Sequence, residues 1–368
     1  MRGPAPAPVV LAAGGTGGHL FPAEALAREL ARRGRRVAVM TDARSAAQAE
    51  EAFEGREVIV LRGSGLSGRG PLRAAAGAAA IAAGTAQARA ALARLGASAV
   101  VGFGGYPAVA PLLAARLLAR RPALVLHEQN AVLGRANRAL ARVADRLALS
   151  FEATRAVPAG IVVEVVGNPV RPAIQALAGR PYLPPGEGET RLLVLGGSLG
   201  ARALSDLLPP AVASLPGALR AKLRIAQQCR AEDLDRVRAA YDQAGIPAEL
   251  SAFFPNIAER LAGAHLVVSR AGASTVAELA CAGRPALLIP LPGAIDDHQR
   301  WNAVAIGAEI ADQAGLTADA LGARLAALLT APGRLDTLAR DAAQRARPDA
   351  AFRLADLVEA QITQEAQP

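Results

Sequence analysis

The chain makes one construction twice. Val9 to Ala13 is a short apolar run that breaks into Gly14-Gly15-Thr16-Gly17-Gly18 and resumes as an amphipathic segment, Pro22 to Arg33, closed by Gly34. Leu192 to Leu195 repeats it with Gly196-Gly197-Ser198-Leu199-Gly200 and a helical segment from Ala201 to about Leu215. A strand that feeds a helix through a glycine turn opens a βαβ unit, and such units build parallel sheets with helices on both faces. Val37–Thr41, Val58–Leu61, Ala99–Gly102, Ala123–Leu126, Leu223–Ala226, Leu266–Ser269 and Ala286–Ile289 supply further strands. At 368 residues the chain passes the ~250–300 at which one core stops growing, so two doubly wound, Rossmann-like α/β domains are expected. Asn168-Pro-Val-Arg-Pro and Arg180-Pro-Tyr-Leu-Pro-Pro-Gly have the proline density of a linker. The expected boundaries are 1–169, 170–345, and a C-terminal helix, 346–368, packing back on the first domain. From Thr317 the pattern is helical, with breaks near Pro332 and Pro348.

Composition removes several classes. With 52% hydrophobic and 20% charged residues, the chain has the balance of a compact enzyme. Cys229 and Cys281 stand far apart in no metal-ligand spacing, which predicts a reduced cytosolic protein without disulfides. No signal peptide is read before Val9. Gly3–Ala23 and Leu95–Ala115 lack charged residues for about the ~20 positions a membrane span needs, yet glycine and proline break both. The net charge of +9 is uneven: residues 1–170 hold 21 Arg against 11 Asp and Glu, and Val58 to Arg146 holds 12 Arg against Glu128 and Asp145 alone. An arginine-rich bias accounts for part of this, since Lys222 is the only lysine, but not for the thinning of acids. A basic half seeks anionic lipid or an acidic substrate. Nucleic acid is disfavoured, because aromatics make up 3% and stacking platforms are scarce.

The first glycine turn lets backbone approach a ligand and offers an anion the unpaired N–H groups of a helix start. Its spacing fails the Gly-x-Gly-x-x-Gly dinucleotide pattern, which argues against a nicotinamide-dependent oxidoreductase. His19, where the loop becomes a helix at a strand end, is the candidate general base. Asp42, ending the second strand, is a turn residue or a ribose ligand. In the other half, Ser269-Arg-Ala-Gly-Ala-Ser274-Thr275-Val-Ala-Glu278 follows a strand and opens a helix. Thr275 with Glu278 has capping-box spacing, while the functional alternative puts a diphosphate on the helix start and Glu278 on ribose hydroxyls. The polar run Asp296-Asp297-His298-Gln299-Arg-Trp-Asn302 after the next strand favours the functional one.

These stretches together resemble the MurG family, enzymes that add N-acetylglucosamine from UDP-N-acetylglucosamine to undecaprenyl-pyrophosphoryl-N-acetylmuramoyl-pentapeptide. The resemblance rests on Gly14 to Pro22, Gly102-Phe-Gly-Gly-Tyr-Pro107, His127-Glu-Gln-Asn130, Gly167-Asn-Pro-Val-Arg171, Gly196-Gly-Ser198, Ser269 to Glu278, and Asp297-His-Gln299 with Asn302. It implies a GT-B fold, two Rossmann-like domains facing a central cleft, with an acceptor domain first and a donor domain second. It implies that Arg171, Ser198, Ser274, Thr275, Glu278 and Gln299 contact the UDP-sugar, with His298 beside them at a position that is Gln in some relatives. Thr16, Gly17, Gly18 and Asn130 would line the cleft near the transferred sugar. Uracil would meet the backbone near Phe254, where relatives more often carry an aliphatic residue, and Gly104, Gly105 and Tyr106 would face the acceptor pyrophosphate.

The implied reaction is an inverting displacement in peptidoglycan synthesis, serving cell shape and division. It would use no cofactor and no metal, the leaving UDP being stabilised by backbone N–H groups and helix ends. Asp233-Leu-Asp235 has the letters of a metal-binding pair, but in a helical stretch residues two apart diverge, and it is read as solvated surface. The implied location is peripheral, on the cytoplasmic face of the inner membrane. The implied partners are the lipid-linked acceptor, an anionic membrane surface and other cell-wall synthesis proteins. Leu66, Leu72 and Ile81 among Arg69, Arg73 and Arg89, and Leu117 and Leu118 among Arg116, Arg120 and Arg121, are the candidate lipid contacts. Other UDP-sugar GT-B enzymes, such as a glycolipid synthase or an epimerase, are the nearest alternatives; a non-enzymatic binder of anionic surfaces would leave the donor segment idle.

Overall fold

The structure, a computed structural model, describes residues 7–15, 17–62, 71–197 and 201–365. It forms two compact units: residues 1–171 with 347–368, and residues 172–346.

The first unit is built on seven strands: β1 Val9–Ala12, β2 Val37–Asp42, β3 Glu57–Leu61, β4 Ala99–Gly102, β5 Ala123–Glu128, β6 Arg146–Leu149 and β7 Val162–Val165. Their order is β3-β2-β1-β4-β5-β6-β7, and every pairing is parallel. Helices cover both faces, so β1 is buried at every position. Val9 and Leu11 face a core closed by the Gly17–Arg32 helix and by Leu354, Ala355, Leu357 and Val358 of the Ala350–Glu365 helix. Val10 and Ala12 face the opposite core, which includes Ala88 and Leu92 of the Pro71–Leu95 helix and Leu112 of the Val109–Arg116 helix.

The second unit carries β8 Thr190–Leu195, β9 Leu223–Gln228, β10 Ala248–Ser251, β11 Leu266–Ser269, β12 Ala286–Leu288 and β13 Glu309–Ile310. Their order is β10-β9-β8-β11-β12-β13, again all parallel. Its core includes Leu192 and Val194 of β8, Leu204 and Leu208 of the Arg202–Ala213 helix, and Leu321 and Leu325 of the Ala318–Thr330 helix. These two helices approach closely at Gly322, where a Cβ would stand 2.7 Å from the Ala211 carbonyl oxygen.

In each sheet the chain order reverses once, between β1 and β4 and between β8 and β11. Parallel α/β sheets bind ligands outside the carboxyl ends of the strands at such a reversal. Both glycine turns follow a reversal strand, the first after β1 and the second after β8. The first helix begins at Gly17 rather than at Pro22, because the glycine pair is taken into its first turn and Pro22 lies inside it. Asp233 corrects the surface reading of Asp233-Leu-Asp235: it is buried and its carboxylate accepts from Arg230 and Arg236, while Asp235 is exposed. Asp42 makes the bonds of a turn residue, accepting from the Ser45 N–H at 3.0 Å and from Arg44 at 3.0 Å.

Candidate functional site

In the first unit, strands β1, β4 and β5 lie side by side, so the segments leaving their carboxyl ends are neighbours. Those segments are Gly14 to His19, Phe103 to Pro107, and Gln129 to Gly134. His19 Nδ1 lies 3.1 Å from Gln129 Oε1, and Gln129 Nε2 lies 2.9 Å from His127 Nδ1. His127 Nε2 reaches the Gly167 carbonyl at 2.9 Å, and Gln129 Nε2 also donates to the His127 carbonyl at 3.2 Å. His127 is fully buried, with its ring tilted against Phe103 at a centroid distance of 5.5 Å. Burial pushes its imidazole down to about 4, against the opposing hydrogen bond to Gly167.

Glu128 is buried beside this chain, and its carboxylate is met by four hydrogen bonds. Asn130 donates from its backbone and its side chain, each at 3.0 Å, Gly134 N at 2.8 Å and Asn137 Nδ2 at 2.9 Å. A buried carboxylate so satisfied fixes the loop that carries Asn130. The turn after β4 needs its glycines: Gly104 has φ +83° and Gly105 φ +68°, ψ 179°, conformations that side chains resist. A Cβ on Gly105 would stand 3.5 Å from His19 Nε2, so this turn faces the ring nitrogen that Gln129 does not touch. Tyr106 follows, its hydroxyl buried with no hydrogen-bond partner among the described residues. Gly15 N donates to Ser45 Oγ at 2.6 Å, and the Arg171 guanidinium lies 5.5 Å from the centre of the Phe21 ring. Gly17 and Gly18 are in the first turn of the His19 helix; Thr16 lies outside the described residues.

In the second unit, the segment after β11 opens the Ala273–Ala282 helix, whose N-cap is Gly272 with no side-chain cap. The capping-box alternative is thereby corrected, since Thr275 sits at the third helical position instead of capping. The first-turn N–H groups are left for another acceptor. Ser274 Oγ is buried in that turn without a partner among the described residues, and Glu278 is buried one turn on. Gln299 Oε1 accepts from Ala271 N at 3.3 Å and Leu291 N at 3.0 Å, joining the loops after β11 and β12. Its oxygen is thus engaged twice, while its NH₂ has no hydrogen-bond partner among the described residues. Asn302, buried in the His298–Ala305 helix that also carries Gln299, donates to the Ala271 carbonyl at 3.0 Å, so residue 271 is held through both its N–H and its carbonyl. Asp296 and Asp297 both take φ +53°, a costly backbone for non-glycine residues, in the turn that delivers His298 and Gln299. His298 Nδ1 donates to the Ile295 carbonyl at 2.9 Å. Arg270 is buried under the loop, donating to the carbonyls of Ile289 and Pro290 and to Gln313; burial lowers its pKa. Phe254 is buried beneath the Arg260 guanidinium, 4.1 Å from its ring centre. Ser198 lies outside the described residues.

In the sequence His127, Glu128, Gln129 and Arg270 stand only as members of longer motifs, and Asn137 belongs to none of them. Polar side chains at apolar strand ends were the available signal.

Residues 9–149 match the glycosyltransferase family 28 N-terminal domain, and residues 191–354 match the C-terminal domain of the same family. The chain is 57% identical over 363 residues to a Granulibacter bethesdensis protein, covering 97% of this chain and 94% of that one. It is 55% identical to an Acidiphilium cryptum protein, covering 97% and 98%. Both are named UDP-N-acetylglucosamine--N-acetylmuramyl-(pentapeptide) pyrophosphoryl-undecaprenol N-acetylglucosamine transferase. Among solved structures, MurG of Acinetobacter baumannii superposes with a TM-score of 0.79 at 32% identity, covering 96% of this chain and 100% of that one.

Proposed function

The chain belongs to glycosyltransferase family 28 and has the GT-B fold, and we propose that it moves N-acetylglucosamine from UDP-N-acetylglucosamine to the 4-hydroxyl of undecaprenyl-pyrophosphoryl-N-acetylmuramoyl-pentapeptide. The observation that carries this reading is the uncapped first turn of the Ala273–Ala282 helix, with the Ser274 hydroxyl unpartnered in it and the Gln299 amide tied to the loop beside it. A helix start with open N–H groups is a seat for a diphosphate.

In this reading Ser274, Thr275 and Ser198 hold phosphate oxygens with Arg171, and Glu278 takes the ribose hydroxyls. The Phe254 backbone meets uracil, and Gln299 and His298 orient the sugar. The first unit supplies the acceptor side: Gly104, Gly105 and Tyr106 toward the pyrophosphate, and Thr16, Gly17, Gly18 and Asn130 toward the transferred sugar. His19 Nε2 takes the proton of the acceptor hydroxyl as its oxygen bonds to the anomeric carbon. The bond from that carbon to the phosphate oxygen breaks, its electron pair leaves with UDP, and the α-linked donor becomes a β-1,4 product. N–H groups at the helix start stabilise the departing charge.

A lipid-linked acceptor supports a peripheral position on the cytoplasmic face of the inner membrane, among cell-wall synthesis proteins. Among the described residues no helix is long and apolar enough to cross a membrane. Leu117 is 61% exposed between the exposed Arg116 and Arg120, whereas Arg121 is engaged with Asp145. Leu66 and Arg69 lie outside the described residues.

Transfer of labelled sugar from UDP-N-acetylglucosamine to a lipid-linked acceptor tests the reaction. His19→Ala is expected to lower kcat by about 10²–10⁴ with UDP affinity unchanged. A His19→Ala enzyme with near wild-type turnover would sink the base assignment, and absence of transfer by the wild type would sink the reading as a whole.

A further inference from the structure

We propose that Gln129 and His127 are positioning residues that fix the tautomer of His19, holding its proton on Nδ1 and leaving Nε2 a bare lone pair toward the Gly104-Gly105 turn. The proposal rests on the role of His19 as base given above, and it says what makes that nitrogen ready.

The inference starts at the end that has no freedom. The Gly167 carbonyl can only accept, so the His127 nitrogen 2.9 Å away, Nε2, carries a hydrogen. Burial of His127 keeps the ring neutral at physiological pH, so it has one proton and Nδ1 is an acceptor. Gln129 Nε2 lies 2.9 Å from that nitrogen and 3.2 Å from the His127 carbonyl. Two acceptors facing one end of an amide require the NH₂ there, because the opposite orientation would set Oε1 against both. Oε1 is therefore the atom 3.1 Å from His19 Nδ1, and an amide oxygen donates nothing. His19 Nδ1 must supply the hydrogen. Its single proton is then spent on Nδ1, and Nε2, beside Gly105, is free to receive another.

The two histidines are thus predicted in opposite tautomers, His127 protonated on Nε2 and His19 on Nδ1. A carboxylate in the place of Gln129 would accept the same N–H but would bring a charge. The amide sets the proton's position without one. Asn137 reinforces the anchor, since its Nδ2 donates both to the His127 carbonyl at 3.1 Å and to Glu128 at 2.9 Å.

The test is long-range 1H–15N correlation on the full chain labelled at histidine nitrogen. The chain has four histidines, and His→Gln variants assign them. The wild type is expected to show His19 with Nδ1 protonated and Nε2 bare, and His127 the reverse. Gln129→Met keeps the length of the side chain and removes both ends of the amide. It is expected to move His19 toward the Nε2-protonated form and to lower kcat by about 10- to 100-fold, with UDP affinity unchanged. A wild-type spectrum with His19 protonated on Nε2 overturns the proposal, and so does a His19 signal that ignores Gln129→Met. The wild-type spectrum decides alone if the variant does not fold. A tautomer that shifts while kcat holds would support the relay and overturn the role of His19 as base.

Discussion

A buried imidazole ties the site to solution pH. Below its ordinary value of 6.5, His127 in the unfolded chain takes up a proton that the folded chain refuses until about pH 4. Its contribution to stability is therefore complete above pH 6.5 and drains as pH falls toward 4, to a total of about 3 kcal/mol. Denaturant melts at pH 7 and pH 5 should register most of this loss before carboxylates titrate, and His127→Gln should flatten that part of the slope. Gly105 makes a second residue-scale case. Its φ of +68° with ψ of 179° is essentially a glycine conformation, and its missing Cβ is 3.5 Å from His19 Nε2. Gly105→Ala should cost about 1–3 kcal/mol in thermal or denaturant melts and depress transfer by crowding the base. Of these features the sequence carried the residue types, His19 at a loop-to-helix junction and two adjacent glycines. It did not carry the relay, because hydrogen bonds between residues 19, 127, 129 and 167 depend on strand order in space. Polar letters at the end of an apolar strand point to a site without saying which atom faces which.

Elements were legible where burial was two-sided. β1, β4, β11 and the Leu192–Leu195 part of β8 read as apolar runs because helices cover both faces of each sheet. β6, β7, β10 and β13 are not legible in this way, being short and toward the sheet edges, and β7 has three exposed residues of four. The Ala273–Ala282 helix misled in another way, for Thr275 and Glu278 have capping-box spacing while the chain turns helical at Ala273, ahead of Thr275. The C-terminal helix is held by a device no periodicity reveals. Arg33, one residue past the Gly17–Arg32 helix and only 13% exposed, donates to Glu29 of that helix at 2.7 Å. Across to the Ala350–Glu365 helix it reaches Asp356 at 2.6 Å, Glu359 at 2.8 Å and the Phe352 carbonyl at 3.0 Å. Its guanidinium also lies over the Phe352 ring, 4.4 Å from the centre. Arg33→Ala leaves these acceptors without their shared cation and should cost about 1–3 kcal/mol. Amide exchange should then accelerate in residues 350–365 and stay unchanged in the Ala273–Ala282 helix. Equal acceleration in both would mean that Arg33 supports the whole chain rather than this one contact.

At the scale of the molecule the charge divides as the units do. Residues 1–171 with 347–368 hold 24 Arg against 15 Asp and Glu, and residues 172–346 hold 17 Lys and Arg against 17 Asp and Glu, so the net +9 belongs to the first unit. Some of those cations are already engaged, Arg94 with Glu57 and Arg121 with Asp145. Others are exposed around Leu117: Arg116, Arg120, and Arg89, whose Nε donates to the Leu117 carbonyl at 3.4 Å. An arginine near an anionic bilayer gains about 1 kcal/mol, so these three should be worth about 3 kcal/mol, or roughly a hundredfold in affinity. Salt screens such attraction within a Debye length of about 10 Å at 0.1 M, and an apolar residue in the patch adds a term that salt does not touch. Sedimentation with anionic vesicles should therefore show binding that weakens steeply as salt rises and nearly vanishes on neutral vesicles. Arg116→Glu with Arg120→Glu should reproduce the high-salt result at low salt, and Leu117→Ser should weaken binding at every salt concentration. Transfer to a short-chain, water-soluble acceptor should be unchanged in these variants, because the patch would raise the local concentration of lipid acceptor without entering the chemistry. Binding indifferent to both lipid charge and salt would leave the arginine excess without a membrane role.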